Sequence, residues 1–269
     1  WNFLLPFNLP CISEDEGLFI YDKKLKKHIK INNKSDFKYI LRQKNCILAI
    51  TKSAVYLADI VKPYYYRKID IESKNEWNDM ISSPELSDLI HILYNQAMVV
   101  INTENGCQRR ISLPFSAHTA AVCIDVNSDD SLAAVVVKAS DSDNYTEYNK
   151  LYLIDLSSGE TITNCEINEK IDSVYLFENK IILACKDPGR IQIRALPDLK
   201  KSISLNISGI IIGIDYSEEQ LAVYYKNGIL LFSKPVNSKK DKLLMEFASD
   251  GKTYFDNRRK LIIHCQEDG

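Results

Sequence analysis

Six short apolar runs recur along this chain at intervals near forty residues, and this repeat restricts the fold more than any other feature. Each run contains β-branched or aromatic residues, and most are followed by a polar turn. Their centres are separated by about 37 to 53 residues, whereas a repeat unit of four strands occupies ~40–45. The runs are residues 18–22, 55–59, 98–102, 151–155, 191–194 and 229–232.

Further strands can be assigned between these runs. Turn-forming sequences such as Ser157-Ser158-Gly159 and Lys226-Asn227-Gly228 separate them. Residues 121–247 divide into three groups of four strands: 121–127, 132–139, 150–156 and 160–167; then 171–178, 180–186, 190–196 and 201–207; then 210–217, 220–226, 228–234 and 241–247. Residues 35–71 supply another group, residues 1–33 contribute a further one, and only two strands, 252–256 and 260–265, follow.

The ends of three runs carry a family resemblance. Tyr21-Asp22, Ala58-Asp59 and Ile154-Asp155 stand where a Trp-Asp dipeptide closes the third strand of a WD40 repeat. No run ends in Trp-Asp itself, and no Gly-His pair occurs. With its period, the chain resembles the WD40-like β-propeller superfamily. We therefore expect an all-β fold, a single propeller domain over residues 1–269, with four-stranded antiparallel blades, seven in number, the last incomplete.

One segment permits two interpretations. Ser83, Pro84 and Glu85 suit a helix start, and the apolar residues that follow have helical spacing. Alternatively, residues 88–94 form the second strand of the third blade. We favour the strand, because a helix would leave that blade one strand short. The rival fold is an α+β domain with residues 83–94 as a helix packed on an open sheet.

Composition and motifs favour binding over catalysis. The chain has 45% hydrophobic and 26% charged residues with a net charge of −2, which indicates a folded globular protein. Seven cysteines without a C-x-x-C pair are typical of buried, reduced thiols, and the four histidines show no metal spacing. His91 lies in an apolar run, where a hydrogen-bonded core histidine is expected. We predict no catalytic residue, metal site or cofactor.

Cationic residues gather in the turns predicted for one face of the first, second and last blades. We expect this basic arc to contact an acidic protein or RNA. The corresponding turns of the fourth to sixth blades instead carry Asp129, Asp130, Glu160, Glu178, Glu218 and Glu219, which we expect to be solvated. The arc consists of Lys23, Lys24, Lys26, Lys27, Arg42, Lys44, Lys62, Arg258, Arg259 and Lys260.

The opposite face carries the link at residues 141–149. Its two tyrosines, Tyr145 and Tyr148, lie among polar residues, a composition that suits a contact with a partner protein.

Two functions fit these features. The first is a non-catalytic scaffold that binds other protein subunits of a larger intracellular complex, in the cytoplasm, the nucleus or both. The alternative is an accessory subunit of an RNA-processing or RNA-modifying complex, for example a tRNA methyltransferase, that contacts RNA through the basic arc. No apolar stretch is long enough for a membrane span.

Overall fold

The computed structural model describes the chain apart from several segments. These are residues 1–8, 14–16, 23–26, 33–38, 45, 60–65, 72–77, 83–86, 116–118, 141–146, 178, 200–201, 217–219, 226–227, 234–242, 249–251, 257–260 and 266–269. The regular elements of the described residues are all β-strands. The chain divides into two compact units, Trp1–Leu113 with Ser128–Asp130, and Pro114–Asn127 with Ser131–Gly269.

The first unit contains three antiparallel sheets, β1-β2-β3, β4-β5-β6-β7 and β8-β9-β10-β11, in which neighbours in sequence are neighbours in space. Its strands are β1 (Leu9–Ser13), β2 (Gly17–Asp22), β3 (Lys27–Asn32), β4 (Tyr39–Gln43), β5 (Cys46–Ile50), β6 (Ala54–Asp59), β7 (Tyr66–Asp70), β8 (Asp79–Ser82), β9 (Leu89–Leu93), β10 (Ala97–Asn102) and β11 (Gln108–Ser112).

The second unit contains four sheets with the same up-and-down order, β12-β13-β14-β15, β16-β17-β18-β19, β20-β21-β22-β23 and β24-β25. Its strands are β12 (Thr119–Val126), β13 (Leu132–Ser140), β14 (Glu147–Asp155), β15 (Thr161–Ile167), β16 (Ser173–Phe177), β17 (Lys180–Cys185), β18 (Arg190–Ala195), β19 (Ser202–Asn206), β20 (Ile211–Tyr216), β21 (Gln220–Tyr225), β22 (Gly228–Ser233), β23 (Leu243–Ala248), β24 (Lys252–Asp256) and β25 (Leu261–Cys265).

The second and third strands of the four-stranded sheets are apolar on both faces, because both faces are packed against neighbouring sheets. Val135 and Val136 of β13 point to opposite faces, and both are fully buried. The fourth strand instead alternates: in β15, Ile162 is 48% exposed while Ile167 is buried. A continuous apolar run therefore indicates an inner strand, and alternation an outer one.

Apolar clusters join successive sheets within each unit. In the first unit, Leu48 and Val55 pack in one cluster with Ile92 and Val99, which joins the sheet β4–β7 to the sheet β8–β11. In the second unit, one cluster joins the sheet of β13 to that of β17, and another joins the sheet of β18 to that of β21. Neighbouring sheets are thus stabilised by their shared apolar faces.

Gly189 is the last residue of the turn between β17 and β18, where the backbone of a neighbouring segment comes very close. A Cβ atom at this position would lie 2.1 Å from the carbonyl oxygen of Gly209 and 2.7 Å from that of Ile207. The Ile207 amide also donates a hydrogen bond to the Gly189 carbonyl, with a nitrogen–oxygen distance of 2.8 Å. Only glycine fits this approach.

The structure confirms the predicted strand pattern. Five of the six apolar runs are third strands of four-stranded sheets, and residues 18–22 form the central strand of the first sheet. Residues 89–93 form β9, the second strand of its sheet, so the strand interpretation is confirmed and the helix is wrong there. Residues 83–86 lie outside the described part. The described residues form seven sheets, five of them four-stranded; the blade count and the single domain stay predictions.

Candidate interaction surfaces

An open cleft of about 390 Å³ lies at one end of the sheet β12–β15. The end of β13 and the start of β14 form one wall, and the connection between β15 and β16 forms the other. Ala139 and Ser140 pair with Tyr148 and Glu147 across this end of the sheet. The lining residues are Val122, Lys138, Glu147, Tyr148, Asn149, Ile167, Asn168, Glu169, Lys170, Ile171 and Asp172.

Polar contacts hold the walls of the cleft together. The Asn149 side chain donates a hydrogen bond to the Glu169 carbonyl at 2.6 Å, and this bond joins β14 to the β15–β16 connection. The Glu169 carboxylate lies 3.3 Å from the Arg190 guanidinium, and the Lys186 amide donates to the Asp172 carboxylate at 2.8 Å. Hydrogen bonds and an ion pair therefore fix the β15–β16 connection to β14 on one side and to residues 186 and 190 on the other.

The cleft presents both signs of charge beside one aromatic ring. Lys138 and Glu147 form an exposed ion pair with a nitrogen–oxygen distance of 2.5 Å, and Lys170 lies 3.3 Å from Asp172. Tyr148 is half-buried, and it lines the cleft together with the apolar residues Ile167 and Ile171. An aromatic side chain in a mixed polar rim is typical of a protein-binding site.

A buried polar network lies at the turns of the first unit. The Gln43 side-chain amide donates to the Leu89 carbonyl at 3.1 Å, and the Thr103 hydroxyl lies 3.1 Å from the Gln43 oxygen and 2.9 Å from the Asp88 carbonyl. Gln43 and Thr103 are 3% and 5% exposed. The network joins the β4–β5, β8–β9 and β10–β11 turns.

Replacing Thr103 by valine should lower the free energy of unfolding by about 1 to 2 kcal/mol, because the buried Gln43 side-chain oxygen loses the hydroxyl beside it, whereas the Asp88 carbonyl still accepts from the Thr103 amide. Thr161 supplies the matched control: its hydroxyl is buried and has no hydrogen-bond partner among the described residues, so Thr161→Val should cost nothing or stabilise. Urea unfolding of both variants measures the difference. Equal losses would contradict the network's role.

His91 and Asp130 form a second buried polar contact in the first unit. The His91 side chain is 1% exposed, and its Nε2 lies 3.7 Å from Oδ1 of Asp130, which is 13% exposed. The His91 Nδ1 has no hydrogen-bond partner among the described residues. Burial is the main reason that the pKa of His91 is lowered to about 4. The positive charge of Arg109 also lowers this pKa, whereas the negative charge of Asp130 raises it. The predicted burial of His91 is confirmed, and its hydrogen bonding stays a prediction.

The described cysteines are free thiols, and their environments differ. Cys123 and Cys185 are buried and Cys107 is exposed, so burial was predicted too generally. Burial raises the pKa of Cys165 and of Cys185, which keeps both as neutral thiols at neutral pH.

Among the described residues no group of three or more His, Cys, Asp or Glu side chains is arranged to hold a metal. Nor does that part of the chain contain a helix long and apolar enough to cross a bilayer.

Comparisons with known proteins identify the fold. No protein-family model matches the sequence, and no curated protein matches it significantly. Solved structures do: the Dos1 propeller is similar with a TM-score of 0.67 and 11% identity, over 96% of this chain and 72% of that one. The chain has a β-propeller fold. Its four-stranded sheets are propeller blades, and the resemblance drawn from the repeat is confirmed at the level of the fold.

Two further propellers were solved with protein partners. KlAtg21, in complex with the coiled coil of AgAtg16, has a TM-score of 0.64 and 12% identity, over 97% of this chain and 89% of that one. BBS1N, in complex with ARL6DN, has a TM-score of 0.60 and 14% identity, over 92% of this chain and 79% of that one. The TM-scores support a shared fold, and at such low identities the likeness is one of fold alone.

The basic arc falls mostly outside the described part of this propeller. Lys27 begins β3 and Arg42 lies within β4, so both stand on blade strands and not in turns, and their side chains are not described. Lys44 is exposed and forms an ion pair with Asp88. The residues outside the described part are Lys23, Lys24, Lys26, Lys62, Arg258, Arg259 and Lys260.

The predicted tyrosines of the link and the predicted acidic turn residues also lie partly inside and partly outside the described part of the chain. Tyr145 lies outside the described residues, whereas Tyr148 stands in β14, which begins at Glu147, so the link is shorter than predicted. Of the acidic turn residues, Asp129 and Glu160 are exposed, but Asp130 is largely buried beside His91, so its predicted solvation is wrong. Sequence analysis missed Asn149 and Glu169, since their contact spans twenty residues.

Proposed function

We propose that this chain is a non-catalytic propeller that binds other proteins as a scaffold subunit of a larger complex inside the cell, in the cytoplasm, the nucleus or both. The cleft at Tyr148 carries this proposal. It combines a half-buried aromatic ring, an apolar floor and ion pairs of both signs, on a blade whose inner strands are buried. The two propellers solved with protein partners support the same use of the fold.

The alternative of an RNA-contacting subunit rests on the basic arc. Lys44, the arc residue whose side chain is described, already forms an ion pair with Asp88, which reduces the charge that it offers to phosphate. The cleft, by contrast, is lined by acids as well as lysines and has no net cationic character. We therefore place protein binding ahead of RNA binding.

Tyr148→Ala should weaken binding of the native partner at least about ten-fold, because truncation of a tyrosine that anchors an interface costs about 2 kcal/mol or more. The measurement is affinity capture of the tagged protein from cells, with quantitative comparison of the proteins that copurify with wild type and variant. Partners should be lost selectively, while the unfolding temperature changes little.

Ile162→Ala is the matched control, since Ile162 is an exposed apolar residue on the outer strand of the same blade, outside the cleft. It should retain all partners. A Tyr148→Ala protein that captures the same proteins in the same amounts would show that the cleft is not the binding site.

A further inference from the structure

The floor of the cleft at Tyr148, hereafter the Tyr148 cleft, is continuous with the apolar core. Ile167 and Ile171 line the cleft, and both belong to the buried cluster that joins the sheet of β13 to that of β17. Val122 also lines the cleft, and it is half-buried against the same cluster. An apolar side chain placed in the cleft would therefore be removed from water by residues that already pack together.

A β-bulge accounts for the position of Val122. The ladder between β12 and β13 passes from Ala121 opposite Val137 to Cys123 opposite Val136, so Val122 is an extra residue that has no residue opposite it. A bulge changes the direction in which a side chain points. Its neighbours Ala121 and Cys123 are buried and do not line the cleft. The bulge thus supplies the cleft with an apolar side chain from the first strand of the blade.

Each charged side chain that lines the described part of the cleft already has an opposite charge beside it. The pairs are Lys138–Glu147 at 2.5 Å, Lys170–Asp172 at 3.3 Å and Glu169–Arg190 at 3.3 Å. A charged side chain that entered the cleft would lose hydration without gaining a partner, unless it displaced one of these groups. The charges of the cleft therefore select against an incoming charge of either sign.

Two asparagines are available to the main chain of a bound segment. Asn168 lines the cleft, is exposed and forms no hydrogen bond with any described residue. The side-chain oxygen of Asn149 likewise accepts none from the described residues, while its nitrogen donates to the Glu169 carbonyl. An asparagine amide both donates and accepts hydrogen bonds, so these side chains can bond the peptide groups of an extended chain.

We propose that the Tyr148 cleft binds an extended segment of the partner protein through one apolar anchor side chain, and that it excludes charged side chains from the anchor position. The anchor packs on Val122 and Ile171 beside the Tyr148 ring. The ion pairs on both walls shield it from water, and Asn168 bonds the adjacent main chain. The chemistry of the anchor rests on the proposed function, which places the partner in this cleft.

A nucleic-acid strand or a lipid headgroup fits the same features less well. Phosphate groups are bound by cations that are free to contact them. The cations of the cleft, Lys138 and Lys170, already lie beside carboxylates. An apolar anchor requires no free cation, so the cleft favours a peptide segment.

The test selects peptides from a phage-displayed library of random short sequences on the wild-type protein, and discards those that also bind Tyr148→Ala. The remaining peptides should share an apolar residue at one position. For the most enriched peptide, fluorescence anisotropy should show at least about ten-fold weaker binding when this residue is replaced by glutamate or by lysine. Its affinity should change by less than about two-fold between low and high salt, since no unpaired charge contributes.

Two charge variants test whether the ion pairs set this preference. Lys138→Gln leaves Glu147 without its partner, so the lysine-substituted peptide should bind this variant about three-fold more tightly than wild type. Glu147→Gln leaves Lys138 unpaired and should favour the glutamate-substituted peptide in the same way. Lys68→Gln breaks the exposed Lys68–Asp70 pair of the first unit and should leave every affinity unchanged. Thermal unfolding checks that each variant remains folded.

Four results would overturn the proposal: a charged residue at the shared position, no peptide whose binding depends on Tyr148, a lysine-substituted peptide whose affinity is unaffected by Lys138→Gln, or displacement of the apolar peptide by single-stranded RNA. In the last case the cleft binds phosphate. If Tyr148→Ala still loses copurifying proteins, any of the first three results removes only the apolar anchor and leaves the proposed function standing. An unchanged set of copurifying proteins contradicts the proposed function itself.

Discussion

Replacing Gly189 by alanine should lower the free energy of unfolding by about 3 kcal/mol or more, one of the largest effects expected of a single methyl group in this chain. The added Cβ would lie 2.1 Å from the Gly209 carbonyl oxygen and 2.7 Å from that of Ile207. Both atoms belong to the backbone, so no side-chain rotation can relieve the overlap. The β17–β18 turn or the segment after β19 must move instead.

Gly106→Ala is the control for the Gly189 variant. Gly106 has a φ of +79°, and no atom lies within 4 Å of the position that a Cβ would occupy. Alanine there suffers only the left-handed backbone conformation, which costs about 1 to 2 kcal/mol. Urea unfolding of both variants gives the comparison. A Gly189→Ala protein as stable as Gly106→Ala would show that the close approach is absent or relaxes without cost.

Stability should also fall as the pH is lowered from about 6.5 to about 4, because His91 is held neutral in the folded protein. Burial is the main cause of its lowered pKa, about 4 against an ordinary 6.5. Asp130 opposes this effect and Arg109 adds to it. Between these pH values the unfolded chain binds a proton on His91 that the folded chain does not bind, so acid favours unfolding.

The full difference in pKa corresponds to about 3 kcal/mol of stability, present above pH 6.5 and lost by the time the pH reaches about 4. Urea unfolding of wild type and His91→Gln at several pH values across this window measures it, and the variant should show a shallower loss. Thr103→Val changes a non-ionising residue of the same unit and should keep the wild-type slope. The same slope in wild type and His91→Gln would show that another group is responsible.

Local sequence was sufficient to predict the strands of this propeller, because inner and outer strands differ in their pattern of apolar residues. A run such as residues 151–155 is apolar throughout, as a strand buried on both faces must be, and it is the third strand of its blade. The strand at residues 89–93 was favoured over a helix because the repeat required one. The apolar spacing of this segment fits a helix, so it was the period of the repeat that identified the strand.

What the sequence alone determined was therefore the fold class, the order of the strands and the all-β repeat. Only the tertiary structure decided which polar residues are buried and which contacts they make. Asp130 has the sequence of a solvated turn, yet it lies beside His91, and Thr103 has the sequence of an exposed turn residue, yet it bonds to Gln43 and Asp88. The physical reason is range: strand periodicity is set by neighbouring residues, whereas these contacts join residues that lie from fifteen to sixty positions apart.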